Sequence, residues 1–191
     1  MSRADLQREK LLQAIVFFVK NTRACHKLKL FKLLYFLDFK IYRETGRTVT
    51  GLQYFAWPKG PVPNKLFDEF KAPSPDMTAV ATIRATTEDD PGFGKRLIIT
   101  PRRAFDDGCF TNRELEEMKR LAEVFRDADS GLMSDSSHLP GQPWRQVYEI
   151  ERKHQGPIAY KLALDSRPGS ITEAQADQID EDAREADALF R

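Results

Sequence analysis

The segment KLKLFKLLYFLDFKIYRET (27–45) limits most severely what this chain can fold into. Its spacing predicts a helix from about Lys27 to Thr45, with Gly46 as the C-terminal stop. At 100° per residue, Lys29, Lys32, Lys40, Arg43 and Arg47 fall on one narrow stripe, with Phe36 in its middle. Nearly every other direction carries Leu, Phe, Tyr or Ile. Such a helix has to lie at the centre of a fold, covered on most sides, with one basic strip left in water.

The neighbouring segments supply covering elements. Ser2 with Asp5 marks a helix start, and Leu11, Leu12, Ile15, Phe18 and Val19 recur at helical spacing until the pattern fades near Asn21-Thr22. After the central helix, Val49 to Trp57 alternates: Leu52, Tyr54 and Ala56 on one face, Gln53, Phe55 and Trp57 on the other. That is a strand pattern, ended by Pro58. In PKGPVP, Gly60 is free to take an unusual backbone angle while Pro61 and Pro63 fix theirs, which makes a stiff corner before a short helix from Pro63 or Asn64 to about Phe70. Two more strands are expected at about Met77–Thr86 and Lys95–Thr100, joined by EDDPGFG. Thr111 with Glu114 caps a helix reaching about Asp127, and a shorter helix spans Gly131–His138. Ser170 with Glu173 is read as the cap of a last, acidic helix. The expected fold is α+β: a mainly α-helical domain over residues 1–165 with a small antiparallel β-sheet, followed over 166–191 by a linker and an amphipathic acidic helix.

A chain of 191 residues with 31% charged positions can bury a sizeable core in one domain. No apolar run approaches the roughly 20 residues that cross a bilayer. The N-terminus does not read as a secretion signal, and two cysteines make no disulfide framework, so the cytoplasm is the expected compartment and no membrane partner is expected. The net charge of +1 conceals an asymmetry: residues 1–47 hold eleven Lys/Arg against four Asp/Glu, and residues 170–191 hold two against seven. Opposite ends of one compact fold would attract each other.

Chemistry-bearing patterns are sparse. Cys25, His26, Cys109, His138 and His154 lack the paired spacing of a zinc site, so neither a metal nor a cofactor is expected. Cys25 beside His26 fails as a nucleophile–base pair if both lie on a helix, where adjacent side chains diverge by about 100°. SDSSHLP (134–140) offers Ser134 or Ser137 with His138 to a small hydrolase, against the plainer reading of capping residues around a short helix. The basic stripe with Phe36 offers phosphate contacts and a stacking platform to nucleic acid, yet the overall charge is far from that of a dedicated nucleic-acid binder. The rings of Phe55 and Trp57 on a stiffened corner are either core or anchors for a partner, since rigid aromatics lose little entropy on binding.

KLKLFKLLYFLDFKIYRETGRTVTGLQYFAWPKGPVPNKL (27–66), LMSDSSHLPGQPW (132–144) and IAYKLALD (158–165) together resemble the Panacea family, the SocA-like antitoxin domain found beside toxin genes in bacteria and their phages. The matching positions are Lys32, Leu33, Leu34 and Tyr35 on the helix, Tyr54 and Trp57 on the strand, Gly60, Pro61 and Pro63 at the corner, and Ser134, Ser137, His138 and Trp144 later on. The resemblance implies a non-enzymatic antitoxin that neutralises a toxin by direct binding. One member of the family acts as an adaptor that delivers its toxin to a cytoplasmic ATP-dependent protease, so the implied partners are a toxin and such a protease. On this reading Phe36, Phe55 and Trp57 are candidate anchors, and Lys29, Lys32, Lys40 and Arg43 supply electrostatic steering.

Overall fold

The computed structural model of the chain describes residues 2–90, 92 and 94–189. Helix α1 (Arg3–Asn21) opens on the expected capping box, with Ser2 Oγ accepting from the Asp5 N–H and the Asp5 carboxylate accepting from the Ser2 N–H. Helix α2 (Lys27–Thr45) is central: fourteen of its nineteen residues are buried, and Gly46 closes it in the left-handed region with its N–H on the Tyr42 carbonyl at 2.8 Å. Around it lie α3 (Asn64–Glu69), α4 (Pro75–Val80), α5 (Asn112–Val124) and α6 (Ser130–His138). A short helical turn α7 (Pro143–Arg145) runs directly into a wider turn at Gln146–Ile150, and α8 (Glu173–Leu189) ends the described chain. The fold is α+β and mainly helical, with small antiparallel sheets.

Strand β1 (Tyr54–Trp57) is the middle of a three-stranded antiparallel sheet, flanked by β2 (Gly60–Val62) and β5 (Pro157–Ile158). It is shorter than the Val49–Trp57 expected from alternation. Asp38 of α2 takes the Val49 and Thr50 N–H groups at 2.8 Å each, so those donors never reach a ladder, and Gly51 turns the chain at φ +68°. The stiff corner is itself strand: Trp57 pairs with Gly60 around Pro58-Lys59, making a two-residue hairpin, and Pro61 is tolerated because β2 is an edge. Strands β3 (Ala81–Asp90) and β4 (Gly94–Pro101) form a separate two-stranded hairpin; the expected start at Met77 is corrected, because Met77–Val80 is helical. Pro75 presets that helix, and Arg8 of α1 grips its N-terminal end through Asp76 at 2.7 Å and the adjoining Glu69 at 2.9 Å. That guanidinium holds the Asp76 carboxyl well below the usual carboxylate range.

The acidic helix begins two residues later than expected, capped by Thr172 with Gln175, while the Ser170 hydroxyl accepts from the Asp165 N–H instead. Its first half packs on the C-terminal end of α2. Ala176 is buried, the Ile171 N–H reaches the Arg43 carbonyl at 2.9 Å, and Ile171 and Ile179 close over Gly46. Lys161 pairs with Asp177. Phe190 and Arg191, which the sequence places in the same helix, lie outside the described residues. Among the described residues no helix is long and apolar enough to cross a membrane.

Asp38 is fully buried and accepts from the Val49 and Thr50 backbone, the Thr50 hydroxyl and the Tyr54 hydroxyl, the last at 2.8 Å. Burial pushes its carboxyl up to about 6, although every one of these donors acts the other way. Asp38→Ala would strand several buried donors and should cost about 3 kcal/mol or more in urea unfolding; Asp38→Asn, which keeps an acceptor for the two backbone N–H groups, should cost clearly less. Equal losses in the two variants would show that the carboxylate does not anchor this turn.

Candidate partner-binding site

The residues that carry the family resemblance meet around one buried ammonium group. Lys32 is 2% exposed and donates to the Pro61 carbonyl at 3.0 Å; burial lowers its pKa to about 7. Gly60 lies directly over it at φ +105°, where a Cβ would come within 2.6 Å of both Lys32 Cε and Ser137 Oγ. The position therefore requires glycine on two separate grounds. Ser134 Oγ donates to the Lys59 carbonyl at 3.1 Å, which ties α6 to the β1–β2 hairpin, and Ser137 Oγ donates within α6 to the Ser134 carbonyl at 2.8 Å. Trp144 Nε1 donates to the Trp57 carbonyl at 2.9 Å, and its ring carries a column of stacked rings: His138 at 3.8 Å on one face, Tyr148 at 4.7 Å on the other, then His154 at 4.4 Å.

This arrangement corrects the basic strip. Lys29 is fully buried, its ammonium shared among the carbonyls of Arg23, Arg126 and Ala128 at 2.8–3.0 Å, and Lys32 is buried beneath the hairpin. The helical periodicity correctly puts both on one side of α2, but protein carbonyls replace water there. Neither can meet a partner's charge, and the surface on which nucleic-acid binding was to rest is missing its first half. Lys40 and Arg43 are half-buried further along α2; Lys40 pairs with Glu44, and Arg43 lies 3.8 Å from Asp165. Arg47 is exposed.

The hydrolase constellation is not assembled. Ser137 is fully buried, its hydroxyl is directed to a backbone carbonyl, and His138 Nε2 is enclosed without a hydrogen-bond partner. Burial, helped by the nearby Lys32 charge, lowers the His138 pKa. Cys25 precedes α2 rather than lying on it, and burial pushes its thiol up to about 11, away from nucleophilic use. No group of three or more His, Cys, Asp or Glu suited to a metal ion occurs among the described residues.

Of the candidate ring anchors, Phe36 is half-buried and stacks on Phe125 at 5.3 Å and 6°. Trp57 donates to Asn64 Oδ1 at 3.1 Å and leans on Phe67, so much of it is structural packing; Phe55 is half-buried on the same face of β1. Phe36, Lys40 and Arg43 share a feature that periodicity could not reveal. They line an open cleft of about 940 Å³ between α2 and α5, closed at its far side by the α6–α7 loop and the segment before α8. A second cleft of about 520 Å³ adjoins it, the two sharing Gly141, Gln142 and Pro143. Val124 (58% exposed) and Leu139 (55%) line the first, and Ile150 (65%) and Leu162 (36%) line the second. None of these four apolar residues stands out in the sequence, because they come from four separate elements.

A family model described as the SocA-like antitoxin, Panacea domain matches residues 30–145, more than half of the chain and the part that runs from α2 to α7. No curated protein and no solved structure matches the chain.

Two outcomes check the buried centre. Gly60→Ala should lose about 2–4 kcal/mol of stability, since neither Lys32 nor Ser137 can withdraw without breaking its hydrogen bond. For Lys32, a folded-state pKa of about 7 lies below the roughly 10.4 of the unfolded chain, so the unfolded state binds the extra proton between those values. Stability should therefore rise with pH above 7. In urea titrations, Lys32→Met should remove about 2–3 kcal/mol of the gain between pH 7 and pH 9. An unchanged pH profile would mean that the ammonium is not held at depressed pKa.

Proposed function

Because the chain belongs to the SocA-like Panacea antitoxin family, we propose that it neutralises a cognate toxin by direct, stoichiometric binding, and that the toxin seats on the face formed by the two adjoining clefts. The observation that carries this reading is where the exposed apolar side chains lie. Six large hydrophobic residues stand out as exposed among the described residues, and four of them, Val124, Leu139, Ile150 and Leu162, border these clefts. Isolated apolar residues on a surface need no explanation, but a cluster around a concavity does. With Phe36 in the floor, the face has the make-up of an interface core: apolar centre, charged rim. A standard interface of roughly 800 Å² per partner would extend beyond the clefts, and the half-buried Phe55 of β1 is kept as a further candidate contact. Trp57, tied to Asn64 and Phe67, then supports the hairpin more than it grips a partner.

Co-expression with the product of the adjoining reading frame tests the proposal. The wild-type chain should restore growth, and Val124→Asp with Leu139→Asp should abolish rescue while thermal melting is unchanged, since both side chains are already more than half exposed. Rescue that survives this double substitution would remove the toxin from this face. Repeating the assay in cells lacking their ATP-dependent proteases separates masking, which persists, from delivery for degradation, which does not.

A further inference from the structure

The larger cleft has two helical walls and an apolar floor. Along α2 its lining runs from Phe36 to Glu44, and along α5 from Arg113 to Val124, so at 1.5 Å per residue the walls are roughly 12 and 17 Å long. The floor is the stacked Phe36–Phe125 pair with Leu121, Leu139 and Pro143. No strand contributes to this lining, so an extended segment lying here would find no ladder for its own N–H and C=O groups. A helix satisfies its own backbone, and two to three turns match the length of the walls.

The rim sets the charge of the occupant. Lys40, Arg43, Arg113, Arg120 and Arg167 face Glu44, Glu116 and Glu117. Glu44 and Glu117 are already engaged by Lys40 and Arg120, and Arg167 by Asp165; among the described residues neither Arg113 nor Glu116 makes an ion pair, so the five cations of the lining still outnumber its three acids. Arg43 reaches Asp165 only at 3.8 Å, and its Nε is enclosed without a hydrogen-bond partner. The cleft thus has cationic capacity left over once its internal pairs are made, and anionic groups complete it.

We infer that this cleft receives an amphipathic helix of two to three turns from the partner protein, apolar toward the Phe36–Phe125 floor and acidic along both flanks. The inference rests on the reading of this face as the partner-binding face and adds the chemistry of what binds. A second copy of the chain is a poorer occupant. The exposed outer surface of its α8 offers the acids Glu181, Asp182 and Glu185, but the exposed apolar side chains described there are the alanines Ala174, Ala186 and Ala188, too small to cover the floor.

Selection of a random 16-residue peptide library displayed on phage against the full-length protein reads the cleft's preference directly. Enriched sequences should carry large apolar residues at i, i+3 or i+4 and i+7 with net negative charge, and synthetic copies should gain helical circular dichroism on binding. Val124→Asp with Leu139→Asp should weaken those peptides at least tenfold. Arg113→Glu with Arg120→Glu should turn the selection toward Lys/Arg-rich helices. The inference fails if nothing is enriched, if the winners are neutral, basic or extended, or if they bind the cleft variants equally well. It fails also if sedimentation shows the chain pairing with itself through this cleft, the association disappearing in Val124→Asp. Growth rescue that survives Val124→Asp with Leu139→Asp, while the wild-type protein still selects the expected peptides, counts against the toxin reading and in favour of the cleft's chemistry.

Discussion

Enclosing α2 on most sides brings two lysine ammonium groups into the interior, and much of the architecture is the answer to that constraint. A buried ammonium without acceptors is untenable, so the chain has to bring carbonyl oxygens to it. For Lys29 these come from the turn after α1 and from the loop after α5, which fixes both against the start of α2. For Lys32 the acceptor is Pro61, which fixes the β1–β2 hairpin against the middle of the same helix. Each lysine is thereby a three-dimensional staple: its position on α2 dictates where segments distant in sequence must arrive. Burial alone lowers the pKa of Lys32, whereas at Lys29 the nearby Cys25, Asp127 and Asp129 act against it.

From that staple the family signature acquires a physical meaning. Gly60 is required because the hairpin backbone descends onto Lys32, and Ser137 fills the remaining space while tying α6 to its own preceding turn. Trp144 locks the hairpin from the far side through the Trp57 carbonyl, its N–H meets the Tyr35 hydroxyl at 3.3 Å, and the rings of His138 and Tyr148 sandwich it. Serine and histidine close together in sequence suggested chemistry; in the fold they are packing. The signature positions Lys32, Gly60, Ser134, Ser137, His138 and Trp144 build a scaffold, and the same segments supply part of the exposed face beside it, with Leu139 and Pro143 lining the larger cleft and Leu162 the smaller.

The sequence spoke clearly wherever a structural signal was local. The capping boxes at Ser2–Asp5 and Thr111–Glu114 and the glycine stop at Gly46 are satisfied within a few residues, and each appears where the spacing puts it. It misled where the deciding partner was remote. Val49 and Thr50 alternate like a strand, but Asp38 from the preceding helix claims their donors. Met77 reads as the start of a strand until Arg8, 68 residues before Asp76, holds that carboxylate at the head of a helix. Two lysines on a helical stripe look solvated because periodicity registers direction and not what occupies that direction. Strand β5 has two residues and exists only because β1 offers it an edge.

The clefts mark the limit of that legibility, and also bear most directly on function. Burying a side chain the size of Val or Leu is worth about 1.5–3 kcal/mol relative to leaving it exposed. Val124 and Leu139 line a concavity together with Phe36 and Leu121, so a small inward shift of the α6–α7 loop would recover much of that energy. What holds the loop back is the same packing that secures the centre: Pro143 and Trp144 are buried, Trp144 is hydrogen-bonded to the hairpin, and the loop between His138 and Trp144 cannot collapse without unstacking those rings. The staple at Lys32 therefore reaches the surface. By fixing the hairpin it fixes Trp144, by fixing Trp144 it props the cleft open, and an apolar surface held apart from itself is free to be covered by another molecule.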